Sequence, residues 1–521
     1  MNELDWHIFV PCAAASLFAS FLAMIKNLHM FQLNFYKPMS HFRWIFRNAA
    51  KLWPHLFFLL FLLGCVFFGH VAMQVSFFVL SCFFCLFNKP IKNAKKPLKY
   101  TNRAKRMLAA FAVLAAGAVV LSIFLPQPHR LLPIGLLYVL SPIAPIAANA
   151  ANAPIEAFVR HYYIADAKKM LKSHPGLVVV GITGSYGKTS VKYFLATLLK
   201  AKYNVLMTPE SYNTPMGIVK TIRESLRPTH EIFVCEMGAH YRGEIKELCD
   251  IVLPKHGIIT SIGEQHLETM KTMETIIKTK FELAEAVNGR GVIFLNGDNS
   301  FIMDNLPKQD LVTYGLNEKN DYRARDMKLT PNGTVFSLSL HGGGIQIENL
   351  QTSLIGEHNV ANLAGAMAIS SYLGVSHEDM RAQLKKIAPP PHRLQLSKNG
   401  DTLLIDDAYN SNPSGSEAAL KALSLFEGCK ILITPGMVGL GDRQYDLNHA
   451  FGQQAAKTCD FAILVGEKQT RPIYEGLVGA NFEGSKIFIA ETFDGAMKKA
   501  HGIESDGQKV ILIENDLPDN Y

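Results

Sequence analysis

Cysteine is scarce in this sequence, and it forms no disulfide framework. The 521 residues include 8 cysteines, half of them inside apolar runs and half scattered singly. Cys82 and Cys85 have the spacing of a metal or redox pair, but they lie in a phenylalanine-rich run with no second pair, which favours inert packing. A disulfide-stabilised extracellular domain is therefore excluded.

Acidic residues are nearly absent from the first 150 residues. This part carries fourteen basic and two acidic side chains, a net of +12, so a total charge of +8 leaves −4 for the remaining chain. The basic character therefore belongs to one end of the sequence and gives no support for nucleic-acid binding. We expect no nucleic-acid partner.

Charged residues are also missing from four long apolar runs in this part. Each run is close to or longer than the ~20 residues that cross a ~30 Å hydrocarbon core. The second would make a helix of roughly 50 Å, too long for one span, so we expect a hairpin near Gly69 and His70 and about five spans over residues 1–150. The runs cover residues 8–25, 52–87, 107–125 and 131–148.

The loops between these runs predict an orientation. Lysine and arginine cluster at 26–51 and 89–106, with no acid in either segment, and such loops face the cytoplasm. The sequence thus predicts a multi-pass protein of the inner (cytoplasmic) membrane, with membrane lipid as a partner and the catalytic domains in the cytoplasm. Because the spans lack charged residues, they argue against a transporter.

The rest of the chain is long enough for two domains. Residues 151–174 are an amphipathic linker, and beyond them strand-like runs alternate with helical ones, as in a parallel α/β sheet. Consecutive prolines at 389–391 cannot continue a helix and mark a boundary. We predict an ATP-binding α/β domain with a P-loop over 175–388 and a second, Rossmann-like α/β domain over 389–521.

A glycine loop is the most informative motif in the first of these domains. A buried, strand-like run at 177–181 comes just before Thr-Gly-Ser-Tyr-Gly-Lys-Thr-Ser at 183–190. The glycines let backbone N–H groups approach phosphate oxygens, Lys188 can reach the β- and γ-phosphates, and Thr189 can ligate Mg²⁺. Ile182 stands where the strict motif has its first glycine, so the loop is a variant.

Three further clusters follow strand-like runs, and each has a simpler alternative. Glu236 could offer Mg²⁺ an oxygen ligand or could cap a helix. His266 could bind a metal or could be a loop histidine. The segment 406–413 carries paired carboxylates and two asparagines, which suit nucleotide or substrate binding but also a capped loop.

Taken in order, these motifs resemble those of the Mur ligase family over about residues 175–515. The resemblance is to the branch that adds D-alanyl-D-alanine to a UDP-N-acetylmuramoyl-tripeptide. It implies an ATP-dependent ligase of peptidoglycan synthesis that converts a carboxylate to an acyl phosphate, which an amine then attacks. The motifs read TGSYGKTS at 183–190, EMGAH at 236–240, IGEQHLE at 262–268, TKFE at 279–282, NGDN at 296–299, GEHNVAN at 356–362, PHRL at 391–394 and DAYNSNP at 407–413.

The resemblance also implies cofactors, ATP and Mg²⁺, and the roles of individual residues. Lys280 matches a position that is carbamylated in the family, and a carbamate, unlike an ammonium, can ligate Mg²⁺. Without the family, Lys280 would be taken for a surface lysine pairing with Glu282 or Glu285. The implied catalytic residues are Lys188, Lys280 and His266, and the metal ligands are Thr189, Glu236, His266 and Lys280. The implied nucleotide-binding residues are Gly184, Ser185, Gly187, Lys188, Thr189, Ser190, Asn359, Asn362, Arg393 and Asp407. The implied substrate-binding residues are Asn213, Thr214, Tyr409, Asn410 and Asn412.

Some features depart from the family pattern. Apolar runs replace the soluble N-terminal domain that holds the UDP end, Glu514 begins the segment where the family tends to show Lys-Gly-Ser, and Gly439 stands where a glutamate is expected. The last two changes fall where the incoming amine would be recognised. We expect peptide or amino-acid substrates, UDP-linked or lipid-linked, with a membrane-associated acceptor as the leading hypothesis.

Two other functions remain open at this point. Membrane-anchored relatives polymerise amino acids, for example into poly-γ-glutamate, with the same ATP chemistry. A nucleotide-binding membrane scaffold is the second, although a binding-only site would not need the set of Lys188, Glu236, His266 and Lys280. A membrane ATPase is a further interpretation of the glycine loop alone.

Overall fold

The computed structural model describes residues 3–68, 71–88, 97–126, 129–340, 346–409, 411–505 and 507–516. The described residues divide into two compact units, one within residues 3–161 and one of residues 162–516. The first unit is helical and the second holds two β-sheets covered by helices.

Among the described residues, seven α-helices begin in the first unit, and aromatic side chains pack in its core. Phe58 packs against Phe77 with ring centroids 5.2 Å apart and against Tyr138 at 4.9 Å. Short 3-10 turns at Ala49–Leu52 and His129–Leu131 connect helices. The helices are α1 Glu3–Leu33, α2 Pro38–Arg47, α3 Trp53–Phe68, α4 Val71–Phe87, α5 Asn102–Phe124, α6 Leu132–Val139 and α7 Ala144–Lys172, the last of which crosses the boundary between the units.

These helices correct the prediction of about five membrane spans. Within the described residues, two helices are long and apolar enough to cross a membrane, Phe9–Leu33 and Asn102–Phe124, or three if the bent pair α6 and α7 counts as one span. The run at 52–87 divides into helices of 16 and 17 residues, each shorter than the ~20 that a span needs. The predicted hairpin residues, Gly69 and His70, lie outside the described residues.

The run at 131–148 is likewise interrupted, because α6 ends at Val139 and the chain turns by 83° before α7. Two or three candidate helices are too few for the predicted topology. The localisation predicted for this chain, a multi-pass protein of the inner membrane, is therefore wrong.

The second unit is built first on a mixed sheet of nine strands in the order β2-β3-β1-β4-β5-β6-β7-β8-β9. Pairing is parallel from β2 through β7, and β7, β8 and β9 are antiparallel. The strands are β1 Val178–Thr183, β2 Val205–Met207, β3 Ile232–Glu236, β4 His256–Ile259, β5 Ile293–Asn296, β6 Leu311–Gly315, β7 Tyr322–Thr330, β8 Gly333–Leu340 and β9 Gln346–Thr352.

Helices cover both faces of this sheet, which explains why its first strands are apolar throughout. Val180 and Ile182 of β1 face one core, and Val179 of the same strand faces the other. The helices are α8 Lys188–Leu199, α9 Pro215–Ser225, α10 Glu244–Val252, α11 Leu267–Met270, α12 Met273–Val287, α13 Ser300–Met303, α14 Glu357–Tyr372 and α15 His377–Leu384.

A second sheet of six strands follows the prolines, in the order β10-β11-β15-β12-β13-β14. Only β10 is antiparallel to its neighbour, so the sheet resembles a doubly wound α/β domain. Its strands are β10 Gln395–Asn399, β11 Thr402–Asp407, β12 Cys429–Thr434, β13 Phe461–Val465, β14 Ile487–Ala490 and β15 Lys509–Glu514. Its helices are α16 Pro413–Ser424, α17 Gln444–Ala455, α18 Glu467–Gly479 and α19 Phe493–His501, with 3-10 turns at Gly441–Arg443 and Gly484–Lys486.

The expected α/β class of the second unit is confirmed. Both sheets are mixed, and the parallel strands of each alternate with helices along the chain. One consequence sets the position of the site: β1, β3 and β4 are neighbours, so the segments that follow them meet at the same edge of the sheet.

Candidate active site

The glycine loop connects β1 to α8 and has backbone conformations that favour glycine. Gly184 has φ 153° and Gly187 has φ 81°. A Cβ at 184 would lie 2.1 Å from Thr260 Oγ1, and a Cβ at 187 would lie 2.8 Å from Asn362 Oδ1. These two positions therefore require glycine for both torsion and space. The N-terminus of α8 begins directly after the loop, as a phosphate-binding turn requires.

Lysine 188 is folded back over this loop. Its Nζ donates to the carbonyl oxygens of Gly184 at 2.8 Å and Ser185 at 3.0 Å. Burial lowers the pKa of Lys188 to about 8, with the charge of Arg393 lowering it further and that of Glu236 opposing the shift. The positive charges of Lys188 and Arg393 thus lie close enough to interact, although about 200 residues separate them in sequence, on the order of a whole domain.

The loop is fastened to the segment that follows β4. Ser185 Oγ donates to Gly263 O at 3.1 Å, and the N–H of Gly263 approaches the same hydroxyl at 3.1 Å. Thr260 Oγ1 donates to Tyr186 O. Ser190, the last residue of the predicted motif, is buried on α8. Several hydrogen bonds therefore join the predicted phosphate loop to the segment that follows β4.

Glu236 ends β3 and receives three side-chain donors. Its Oε1 accepts from Thr189 Oγ1 at 3.2 Å and from Asn213 Nδ2 at 3.1 Å. Its Oε2 lies 2.9 Å from Lys192 Nζ. The structure thus places three predicted site residues, Thr189, Asn213 and Glu236, in direct contact. Lys192 belongs to the same cluster but was not predicted, although it lies one helical turn after Lys188 on the same face of α8.

Lys280 lies on α12 and is almost completely buried, with 2 % of its surface exposed. Burial lowers the pKa of Lys280 to about 7, and the charge of Lys188 lowers it further. Glu282 accepts instead from the backbone N–H groups of Gly243 at 2.8 Å and Lys246 at 2.9 Å. Interpreting Lys280 as a surface lysine is therefore wrong.

His266 follows β4 and adopts a left-handed backbone conformation, with φ 58°. Its ring lies 4.1 Å from the ring of His240, centroid to centroid. His240 was not predicted as a site residue, although it closes the motif that begins at Glu236. In the described part of the chain, no three His, Cys, Asp or Glu side chains form a group that could hold a metal ion.

The chemistry of the donors at Thr189 and Glu236 nevertheless suits Mg²⁺. A hydroxyl and a carboxylate 3.2 Å apart are hard oxygen donors, and Mg²⁺ in nucleotide sites is held by one or two such groups together with phosphates and water. The second carboxylate oxygen, Glu236 Oε2, is buried and accepts no hydrogen bond among the described residues, apart from its ion pair with Lys192.

The two asparagines predicted to bind adenine lie one turn apart on α14. Asn362 faces the glycine loop, because a Cβ at position 187 would lie 2.8 Å from Asn362 Oδ1. Asn359 is buried, and its amide donates to Ile355 O at 2.8 Å, which leaves its carbonyl oxygen to accept from a ligand.

The second sheet contributes Arg393, Tyr409 and Asp407. The Arg393 guanidinium lies 4.6 Å above the Tyr409 ring, and Tyr409 Oη forms a hydrogen bond with Ser211 Oγ next to the Asn213 loop. Asp407 Oδ1 accepts from the backbone N–H of Leu394 at 3.1 Å. Residues that adjoin the two sheets are therefore in direct contact here.

Asp407 has an unpredicted carboxyl neighbour. It ends β11 opposite Glu514, the last residue of β15, in parallel register, and Ser411 Oγ donates to Glu514 Oε1 at 2.5 Å. Burial raises the pKa of Asp407 to about 6, and burial together with the Asp407 charge raises the pKa of Glu514. Two carboxyl groups this close do not both ionise readily.

The remaining substrate residues fall in different settings. Asn412 Oδ1 accepts from Gly415 N at 2.9 Å and caps α16, which is the structural alternative noted for this segment. Thr214 is the N-cap residue of α9 but accepts no capping hydrogen bond. Asn410 lies outside the described residues.

One sheet carries a P-loop, the other is Rossmann-like, and a cation from each domain lies near the same loop. These features define a two-domain nucleotide-binding α/β protein. Residues 182–370 match the family model "Mur ligase middle domain", and residues 392–514 match "Mur ligase, glutamate ligase domain". The chain belongs to the Mur ligase family, whose members are ATP-dependent acid–amino-acid ligases.

Individual relatives agree with this assignment. The UDP-N-acetylmuramoyl-tripeptide–D-alanyl-D-alanine ligase of Bacillus subtilis is 32 % identical over 326 residues, 62 % of this chain and 66 % of the relative. The Escherichia coli enzyme of the same name is 30 % identical over 322 residues, 60 % of this chain and 69 % of the relative. A crystal structure of MurF from Acinetobacter baumannii superposes with TM-score 0.60 at 26 % identity, covering 68 % of this chain and 77 % of that one. The chain thus spans about two thirds of the length of the curated relatives that it matches.

Proposed function

We propose that this protein is an ATP-dependent ligase that joins D-alanyl-D-alanine, or a similar amine, to the carboxylate of a UDP-muramoyl-tripeptide in peptidoglycan synthesis. The observation that carries the proposal is the meeting of the glycine loop with cations from two domains, Lys188 and Arg393, beside a buried carboxylate, Glu236. The activity for which the 30 % and 32 % identical relatives are named supports the choice of substrates.

ATP would bind with its phosphates on the loop from Gly184 to Ser190. Transfer of the γ-phosphoryl group to a carboxylate brings anions together, so the barrier falls chiefly through cations placed around them. Lys188 and Arg393, one from each domain, would supply such charge. Asn359 and Asn362 on α14 would bind the adenine, and Asp407 would lie near the ribose or the γ-phosphate.

Magnesium would be held by Thr189 and Glu236, which already contact each other at 3.2 Å. When bound, Mg²⁺ neutralises phosphate charge and orients the phosphoryl group. His266 and Lys280 would hold a second ion, Lys280 as a carbamate. A pKa of about 7 supports carbamylation, because only a neutral amine can attack CO₂ and a buried lysine with a lowered pKa supplies it.

The acyl substrate and the amine would meet between the two sheets. The substrate carboxylate, near Asn213 and Thr214, takes the γ-phosphoryl group of ATP and becomes an acyl phosphate. The bond from the γ-phosphorus to the bridging oxygen breaks, and ADP is the leaving group. The incoming amine, near Tyr409 and Asn412, attacks the acyl carbon. The bond from that carbon to the phosphate oxygen breaks, inorganic phosphate leaves, and the amine nitrogen loses a proton. The predicted substrate-binding role of Asn410 also belongs to this proposal.

Phosphate release by the purified full-length protein tests the proposal. ATP, MgCl₂ and UDP-muramoyl-tripeptide are combined with and without D-alanyl-D-alanine, and a lipid-linked tripeptide and free amino acids replace the UDP substrate in parallel reactions. Lys188→Ala is the inactive control, and Lys200→Ala, an exposed residue at the end of α8, is the matched control that should retain activity.

Release that requires both the UDP-tripeptide and the dipeptide, with a product of the summed mass less water, supports the proposal. Release only with the lipid-linked tripeptide would keep the reaction and change the acyl substrate. An absence of release with every pair in the wild-type protein would overturn the proposal.

A further inference from the structure

Lys192 of α8 is a completely buried lysine whose ammonium group contacts Glu236. Its exposed fraction is 0 %, and Glu236 is 1 % exposed. Its Nζ lies 2.9 Å from Glu236 Oε2 and donates as well to the carbonyl oxygen of Glu210. Desolvating a charged pair this deep in a domain costs free energy, so stability alone does not explain why the pair is present.

The rest of the Glu236 carboxylate is also engaged. Thr189 Oγ1 and Asn213 Nδ2 both donate to Oε1, at 3.2 and 3.1 Å. The backbone N–H of Glu236 donates to Thr208 Oγ1 at 3.1 Å. The chain's own donors therefore fix this carboxylate in one orientation, and its charge is neutralised before any ligand arrives.

The ion pair changes what the carboxylate can bind. A free divalent cation at Glu236 would lie next to the Lys192 ammonium, and repulsion between them is strong in a buried site. A cation that arrives with nucleotide phosphates brings several negative charges with it, which offset the repulsion from Lys192. The same ammonium therefore opposes the bare metal far more than the metal–nucleotide complex.

We infer that Lys192 is a positioning residue that reserves Glu236 for a metal–nucleotide complex and excludes free divalent cations. The inference rests on the proposed function, because it uses Glu236 as a metal ligand at a nucleotide site. Lys192 also donates to the carbonyl oxygen of Glu210 and so helps to position the loop that carries Asn213. The backbone of Glu210 is in the left-handed region, with φ 40°, a conformation that non-glycine residues adopt at a cost in free energy.

Binding of Mn²⁺ to the full-length protein, measured by electron paramagnetic resonance of the free ion, tests the inference without any turnover. Each protein is titrated with and without ADP. Lys192→Gln removes the charge but keeps a donor to Glu236, and Lys192→Met removes both. Lys192→Arg keeps the charge, and Lys200→Gln removes a charge from the exposed end of the same helix.

We expect Lys192→Gln to bind Mn²⁺ without ADP at least about tenfold more tightly than the wild type, because one repulsive charge is gone. Lys192→Arg and Lys200→Gln should behave as the wild type, and adding Glu236→Gln to Lys192→Gln should abolish the gain. If Lys192→Met fails to fold, Lys192→Gln and the double variant still give the result.

Equal affinity of the wild type and Lys192→Gln for Mn²⁺ alone would overturn the inference. Tight binding of Mn²⁺ by the wild type without ADP, lost in Glu236→Gln, would overturn it as well. If no protein binds Mn²⁺ even with ADP, the nucleotide site itself is wrong and the proposed function falls with the inference. Normal binding of the Mn²⁺–ADP complex with no effect of Lys192 would refute the inference alone.

Discussion

Replacing Gly184 by alanine should destabilise the protein and remove nucleotide binding. The backbone at Gly184 has φ 153°, a region almost restricted to glycine, and an L-residue there costs about 1–3 kcal/mol. The new Cβ would lie 2.1 Å from Thr260 Oγ1 and 2.9 Å from Ser261 O. Both neighbours belong to the segment that holds the loop, so neither can move without disturbing it.

The second part of the cost comes from Thr260. Its hydroxyl donates to Tyr186 O, which also accepts from Ser261 Oγ at 3.2 Å, so displacing Thr260 would remove one of two hydrogen bonds, at about 0.5–1.5 kcal/mol. Together the two terms give roughly 1.5–4.5 kcal/mol. At about 2–4 °C per kcal/mol for a domain of this class, Tm should fall by roughly 3–18 °C.

Thermal unfolding with and without ADP measures both effects. Gly289→Ala is the matched control, because Gly289 also has positive φ, 71°, but no atom lies within 4 Å of the Cβ position. It should cost only about 1–2 kcal/mol and keep the stabilisation by ADP. If Gly184→Ala unfolds no lower than Gly289→Ala and still gains stability from ADP, the loop is not packed as described and the reasoning fails.

Three other predictions concern charge. Incubation with ¹³C-bicarbonate near pH 8 should give a carbamate resonance that Lys280→Arg lacks, since a pKa of about 7 leaves the Lys280 amine mostly neutral there; identical spectra would refute carbamylation. The pKa of Asp407 is raised to about 6 from 3.8, so the folded state holds its proton more tightly than the unfolded state and stability should fall as pH rises from 4 through 6. Glu514→Gln should flatten this dependence in urea unfolding measured at pH 5 and pH 8, and an unchanged slope would show that the two carboxyl groups are not coupled. Arg443→Ala should change the free energy of unfolding by less than about 1 kcal/mol, because the ion pair between Arg443 and Glu264 is partly exposed. A larger loss of stability in the same assay would contradict this prediction.

Local sequence was sufficient for the features that lie within one short segment. The strand, glycine loop and helix from 178 to 199 are contiguous, and alternation of apolar strands with helices predicted the α/β class. The strand before the glycine loop is correct within two residues, expected at 177–181 and observed at Val178–Thr183. In these segments apolar pattern, glycine and helix start all favour the same structure.

Hydropathy alone failed where the end of a helix mattered. The apolar runs at 52–87 and 131–148 have the composition of membrane spans, but composition does not fix where a helix stops or turns. The observed helices are shorter or bent, and the described residues contain two or three candidate spans instead of five. Apolar length is a necessary condition for a span and not a sufficient one.

By itself, therefore, the sequence determined the nucleotide loop, the alternation of strands and helices, and the family. Only the tertiary structure placed the Arg393 charge beside Lys188, aligned Asp407 with Glu514 across two strands, and buried Lys192 against Glu236. These pairs are distant in sequence, and strand order and register bring them together. Their charges and pKa values depend on burial and neighbours, which no linear pattern of residues encodes.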